Sequence, residues 1–225
     1  MITNFIRFIN GRMVQPDEIV NLIPSTPPDK PEPDKPDQPA ETHSVVIGGK
    51  TYHTVSMPDG REWLAENLTY LDDNIGVGEL LGSIDEPRAD WYRYSQTEYE
   101  TYGLLYNYAA ATYLNDHKNE LFPGWHVPSK EELDTLVASV GDASNIYITG
   151  WNGGTDTYGF GLQPAGFETP AYGETRFVNL GNTAVLISKD APSPDSCYVL
   201  WCADDAHTST YAANFQYSLR LVKDK

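Results

Sequence analysis

Cysteine and positive charge are both scarce in this chain. Its 225 residues include only Cys197 and Cys202, and 15 Lys plus Arg stand against 32 Asp plus Glu, a formal net charge of −17. Two cysteines are too few for a disulfide framework. The charge argues against DNA or RNA as a partner, because binding phosphates takes basic patches. It argues equally against a polybasic contact with lipid headgroups. No apolar run approaches the ~20 residues of a membrane helix, so membrane insertion is not expected. The opening Met-Ile-Thr-Asn-Phe-Ile-Arg-Phe-Ile lacks the basic start and cleavage site of a secretory signal and carries no lipoprotein cysteine. The expectation is a protein made in a reducing cytoplasm. HExxH, P-loop, GxSxG and GxGxxG patterns are also missing. His43, His53, His117, His126 and His207 show no metal-ligand spacing. Asp72-Asp73-Asn74 does not have the spacing of an EF-hand loop. Neither a metal nor another cofactor is therefore expected.

Aromatic residues are plentiful: 15 Tyr, 7 Phe and 5 Trp supply enough apolar surface for a folded core. Composition changes twice along the chain. Residues 2–15 hold two β-prone runs around Asn10-Gly11, a dipeptide whose residues both tolerate positive φ, and this predicts a hairpin. Asp17 would cap a short turn after it. A lone hairpin is marginal in water, so residues 1–23 are expected to dock on a partner or on copies of the chain. Residues 24–43 form a spacer. Seven of the 16 prolines lie in 24–42, interleaved with five acids and two lysines, as in a stiff polyproline-II linker.

Residues 44–225 read as one α+β domain rich in loops. Gly48-Gly49 joins two strand-like runs in a second hairpin, and 72–90 reads as loop. One short helix follows Thr101. A second opens at Ser129 with Glu132 as a capping box, keeps Leu133, Leu136, Val137 and Val140 on one face, and stops at Gly141. Thr183–Ile187, Tyr198–Cys202 and Tyr217–Lys223 read as strands.

Several motifs then identify a relationship. Glu62-Trp-Leu-Ala-Glu-Asn-Leu-Thr-Tyr70, Tyr102-Gly-Leu-Leu-Tyr-Asn-Tyr-Ala-Ala110, Phe122-Pro-Gly-Trp-His-Val-Pro-Ser129, Gly154-Thr-Asp156 with Tyr158-Gly-Phe160, Pro164-Ala-Gly-Phe167 and Ser218-Leu-Arg-Leu-Val-Lys-Asp224 occur in that order. Together they resemble the Fibrobacter succinogenes major paralogous domain family. The resemblance implies a C-type-lectin-like fold with two short helices, shared with formylglycine-generating enzymes and with the variable proteins of diversity-generating retroelements. Residues 1–43 are not covered. Leu121 and Leu221 stand where the family has cysteines. If those pair in relatives, the two leucines should meet here, a loss suited to a reducing cytosol.

From Asp190 to Leu219 there is no Lys or Arg. This stretch mixes Tyr198, Trp201, Asp204, Asp205, His207, Thr208, Ser209, Tyr211, Asn214 and Gln216, the blend of rigid aromatics and small hydrogen-bonders that adaptable recognition surfaces use. In the lectin-like variable proteins that this chain resembles, the corresponding stretch displays the ligand-binding face. The leading expectation is thus a non-enzymatic receptor-binding protein of a phage tail, from a Bacteroidetes-type host. Residues 185–217, where the resemblance to retroelement variable proteins would place targeted diversification, would bind a host-surface glycan or protein patch of neutral or positive charge. Residues 1–23 would anchor it to a tail or baseplate protein as a homo-oligomer, expected to be a trimer for avidity. One alternative is a bacterial surface adhesin of the same family. Another is a copper oxidase like the formylglycine-generating enzymes, using Cys197 and Cys202, since soft thiolates suit Cu(I). Strand alternation places those two residues on opposite faces, which argues against it. Trp63, Tyr106, Trp125 and Phe160 are expected in the core, and His126 as a structural histidine.

Overall fold

The computed structural model describes residues 7–9, 12–14, 43–77, 84–91, 96–171 and 174–225. The chain divides into two compact units, 1–39 and 40–225. In the first, β1 (Arg7–Ile9) and β2 (Arg12–Val14) pair antiparallel, with Phe8 opposite Met13. Asn10-Gly11, the turn after Asp17 and the Pro-rich stretch lie outside the described residues.

The second unit opens with β3 (His43–Ile47) and β4 (Lys50–Ser56). Gly48 and Gly49 turn between them at φ 56° and 82°, a tight hairpin that needs two residues at positive φ. β5 (Glu62–Leu64) follows, and β6 (Gly76–Val77) and β7 (Arg88–Asp90) pair in parallel inside the region expected to be loop. Four α-helices are described rather than two: α1 (Gln96–Tyr102), α2 (Tyr108–Asp116), the single turn α3 (Lys118–Leu121) and α4 (Lys130–Val140). α1 and α3 carry no apolar 3-4 spacing for a sequence reading to detect. α4 starts on the expected capping box, with the Ser129 side chain accepting from the Glu132 N–H and Glu132 accepting from the Ser129 N–H, and ends at Gly141, φ 73°.

β8 (Leu105–Tyr106) and β9 (Trp125–His126) are short. β10 (Phe167–Ala171) and β11 (Glu174–Val178) form a separate hairpin. β12 (Ala184–Ile187), β13 (Ser196–Cys202) and β14 (Ala206–Ala212) are successive antiparallel neighbours. The expected strand Tyr217–Lys223 is in fact two, β15 (Tyr217–Ser218) and β16 (Val222–Lys223). They belong to different sheets. β15 sits between β12 and β8 in a seven-stranded sheet of order β14-β13-β12-β15-β8-β7-β6, and β16 sits between β5 and β9 in a five-stranded sheet of order β3-β4-β5-β16-β9. Between them, Leu219 and Leu221 are fully buried, and their carbonyls accept from the N–H groups of Leu68 and Leu64.

Alternation along β12 and β13 feeds two core clusters. Val185, Ile187, Cys197 and Val199 join one, to which α2 adds Ala110, Ala111 and Leu114. Ala184, Leu186, Leu200 and Cys202 join the other, to which α4 adds Leu133, Leu136 and Val140. Trp63, Tyr106, Trp125 and Phe160 are all buried, as their sequence context implies. Leu121 and Leu221 lie in the same cluster. Among the described residues, no helix is long and apolar enough to cross a membrane.

Two buried polar side chains, Arg220 and His126, hold the frame. The Arg220 guanidinium donates to Asn67 Oδ1 at 2.8 Å and to the carbonyls of Phe160 and Gly161, over the Phe160 ring at 4.5 Å. Burial lowers its pKa to about 10, so it remains charged at neutral pH. His126 places Nδ1 2.6 Å from Asp224 and Nε2 3.0 Å from Glu132, the structural role expected of it. Burial alone would raise the Glu132 pKa, but hydrogen bonds from His126 and Ser129 outweigh it and hold the carboxyl at about 2.

Candidate ligand-binding face

The residues singled out in 185–217 fall on the β13–β14 hairpin and the turns beside it. The register sets Trp201 opposite His207, Val199 opposite Ser209, Cys197 opposite Tyr211, Leu200 opposite Thr208 and Tyr198 opposite Thr210. Directly opposed residues share a face, and successive residues alternate. Trp201, His207, Ser209 and Tyr211 therefore share one face, and Tyr198 and Thr208 share the other.

On the first face the Trp201 and Tyr211 rings stack at 4.9 Å and 4°. They lean together over the small Val199–Ser209 pair. Phe167, from the start of β10, sets its edge on Trp201 at 5.7 Å and stacks on Phe215 at 6.1 Å and on Tyr217 at 6.1 Å. Phe167 and Tyr217 are buried and fix the base of this array. Trp201, Tyr211 and Phe215 are half-buried and keep part of each ring accessible. Offset and edge-to-face contacts of this kind add about 0.5–1.5 kcal/mol per pair beyond burial, so the rings hold one another in place. Asp204 and Asp205 are exposed in the turn at one end, where His207 Nδ1 lies 3.2 Å from Asp205. Half-buried Asn214 lies in the turn after β14.

The second face is covered by α4. Thr208 Oγ1 donates to Asp134 at 2.6 Å, and Lys130 Nζ lies 5.5 Å from the centre of the Tyr198 ring. Tyr198 and Thr208 are thus committed to helix packing rather than to an open surface. Gln216 is a second correction, because it is fully buried and its backbone pairs with that of Glu168. Its neighbours Phe215 and Tyr217 take the aromatic side, so alternation turns Gln216 inward. Phe167 and Phe215 complete the array and were missed. Phe167 lies outside the stretch without Lys and Arg and Phe215 is one apolar residue within it, so only the third dimension joins them to Trp201.

Cys197 and Cys202 are free thiols buried in different core clusters on opposite faces of β13. Burial pushes both pKa values up to about 12, so neither is a thiolate at neutral pH. Their sulfurs do not converge on a common ion. Asp72 accepts from the Asn74 N–H and from the Tyr113 hydroxyl, which makes it the hub of a local turn. Among the described residues no three His, Cys, Asp or Glu side chains are grouped to hold a metal.

The model of the Fibrobacter succinogenes major domain family matches residues 59–223. The chain belongs to that family. The match contains the whole aromatic face, from Phe167 to Tyr217, and the buried Arg220 and His126 that support the frame. No curated protein matches the chain, and no solved structure does. Residues 1–42, with the hairpin and the spacer, lie outside the family match.

Proposed function

We propose that this family member is a non-enzymatic binding protein whose second unit is a C-type-lectin-like domain, displayed on a phage tail and recognising a molecule of the host surface through the aromatic face of β13–β14. One observation carries the reading: the Trp201–Tyr211 stack is only partly buried and is braced by Phe167, which in turn stacks on Tyr217. A flat, rigid, partly open aromatic surface offers contact area at little entropic cost. Ser209, His207 and Asn214 at its margin offer hydrogen bonds.

The ligand class follows from charge. Asp190 to Leu219 includes Asp190, Asp195, Asp204 and Asp205 and no Lys or Arg. A neutral or cationic partner fits, and a sugar ring packed against the accessible part of the Trp201–Tyr211 stack is the simplest one. Polyanionic polymers are disfavoured. In this reading the β1–β2 hairpin anchors the chain to a tail protein, and the Pro-rich stretch sets the domain away from the particle.

The test applies labelled protein to a glycan array and to intact bacterial cells, with Trp201→Ala and Tyr211→Ala beside the wild type. Both variants should lose binding while keeping the wild-type circular dichroism. Unchanged binding by both folded variants would put the site elsewhere.

A further inference from the structure

β14 is the terminal strand of the seven-stranded sheet, and among the described residues no strand pairs with its outer edge. The bonds flanking the β13–β14 ladder fix which backbone groups face that edge. The Ala213 N–H donates to Asp195 at one end, and the Ala203 N–H donates to Asp205 at the other. Both pairs continue the register that sets Ser196 opposite Ala212. Bonded positions alternate along an antiparallel pair. His207, Ser209 and Tyr211 therefore direct their backbone groups at β13. Ala206, Thr208 and Thr210 direct theirs outward, and so does the Ala212 N–H. Among the described residues no backbone group pairs with them.

An open strand edge in a soluble protein is ordinarily guarded by a lysine, a proline, a bulge or short length. β14 is seven residues long, reads Ala-His-Thr-Ser-Thr-Tyr-Ala and pairs with β13 without a bulge. It has none of these guards.

We propose that this edge pairs with β14 of a second copy, antiparallel, about a two-fold axis at Ser209. That register joins outward N–H to outward C=O by setting Thr208 opposite Thr210 of the second copy. Ser209 then meets Ser209, and His207 meets Tyr211. Threonine pairs and aromatic pairs across a ladder are favourable. Asp204 and Asp205 fall across from Asn214 and Ala213 of the copy, so no acid opposes an acid. Charge selects this contact. A chain of net charge −17 repels its copies over most of its surface, whereas β14 brings a strand without Asp, Glu, Lys or Arg against its equal. The two Trp201–Tyr211 stacks then flank the axis on one side of a continuous sheet. Such a contact builds two-fold dimers, in place of the trimer expected from the sequence.

The experiment is sedimentation equilibrium on the full chain with three substitutions. Wild type should sediment near twice the 25.1 kDa chain mass. Thr210→Pro deletes an outward N–H and spares the β13 ladder, and it should sediment as monomer with an unchanged circular dichroism spectrum. If Thr210→Pro does not fold, Thr210→Lys should separate the copies by placing like charges across the axis. Ser209→Cys should form a covalent dimer on mild oxidation. Non-hydrogen-bonded antiparallel partners have Cα atoms about 4.5 Å apart, within disulfide reach, and the native thiols are buried. A monomeric wild type overturns the proposal, including one whose edge takes a foreign strand. So does Ser209→Cys that yields no covalent dimer.

Discussion

The two sides of the β13–β14 hairpin are made from the same fourteen-odd residues of sequence, yet they face different neighbours. Thr208 and Ser209 are adjacent and chemically alike. Thr208 turns to α4 and donates its hydroxyl to Asp134, while Ser209 turns to the side where Trp201 and Tyr211 stack half exposed. On the α4 side the Thr208 hydroxyl is answered within the chain, and Leu200 and Cys202 enter the second core cluster. On the aromatic side the base is buried and the top is left open. Residue type alone therefore does not tell which side of the strand stays open. What lies above each face of the strand decides it.

Four substitutions can break or sharpen that contrast. The largest effect is expected on the sealed side: Leu136→Ala should cost about 2–5 kcal/mol in urea unfolding, since it opens a cavity beneath β13. Binding by the surviving folded protein should be unchanged. Next is Glu132→Gln at the start of α4, with a loss of about 3 kcal/mol at neutral pH. The sign follows from the depressed carboxyl. Its folded pKa of about 2 lies below the ordinary carboxylate value. The stabilisation is complete above that ordinary value and is lost as pH falls toward 2. Urea midpoints at pH 7 and pH 3 should differ for wild type, and differ less for Glu132→Gln. On the open side, Trp201→Ala should weaken ligand binding at least tenfold, about 1.4 kcal/mol or more. Its stability cost should be smaller than that of Leu136→Ala, because the ring is only half buried. The smallest effect is expected for Thr208→Val, about 1 kcal/mol of stability from one lost hydrogen bond, with binding unchanged. Binding lost in Thr208→Val, but retained in Trp201→Ala, would reverse the assignment of the two sides.

Much of the frame was legible because it rests on local chemistry. Gly48-Gly49 can only be a tight turn between β-prone runs, and Ser129 with Glu132 spells a helix start that forms as read. The segment proposed for binding stands out as a segment, since absent Lys and Arg and abundant Tyr and Trp are visible in one dimension. Its face does not. Tyr198 and Thr208 are indistinguishable from site residues until α4 is laid over them. Gln216 and Phe215 exchanged roles because the phase of alternation is set by the bridge to Glu168, 48 residues away in the chain. Strands of two residues, such as β8, β15 and β16, are too short for a period of two to register. Tyr217–Lys223 read as one strand because every residue from Tyr217 to Val222 is buried, and burial does not say in which sheet.

That last segment has a consequence for how the protein comes to exist. β15 is an interior strand of one sheet and β16 an interior strand of the other. On a ribosome, residues 43–216 emerge with neither sheet able to close, and with the apolar faces of β5, β8, β9 and β12 still lacking their neighbour. Neither sheet of the 40–225 unit can therefore be completed until residues 217–223 have cleared the exit tunnel. Until then its aromatic strands are exposed to one another and to the cell. Yield at expression should depend on that interval, and chaperone demand should be highest for variants with substitutions in those seven residues.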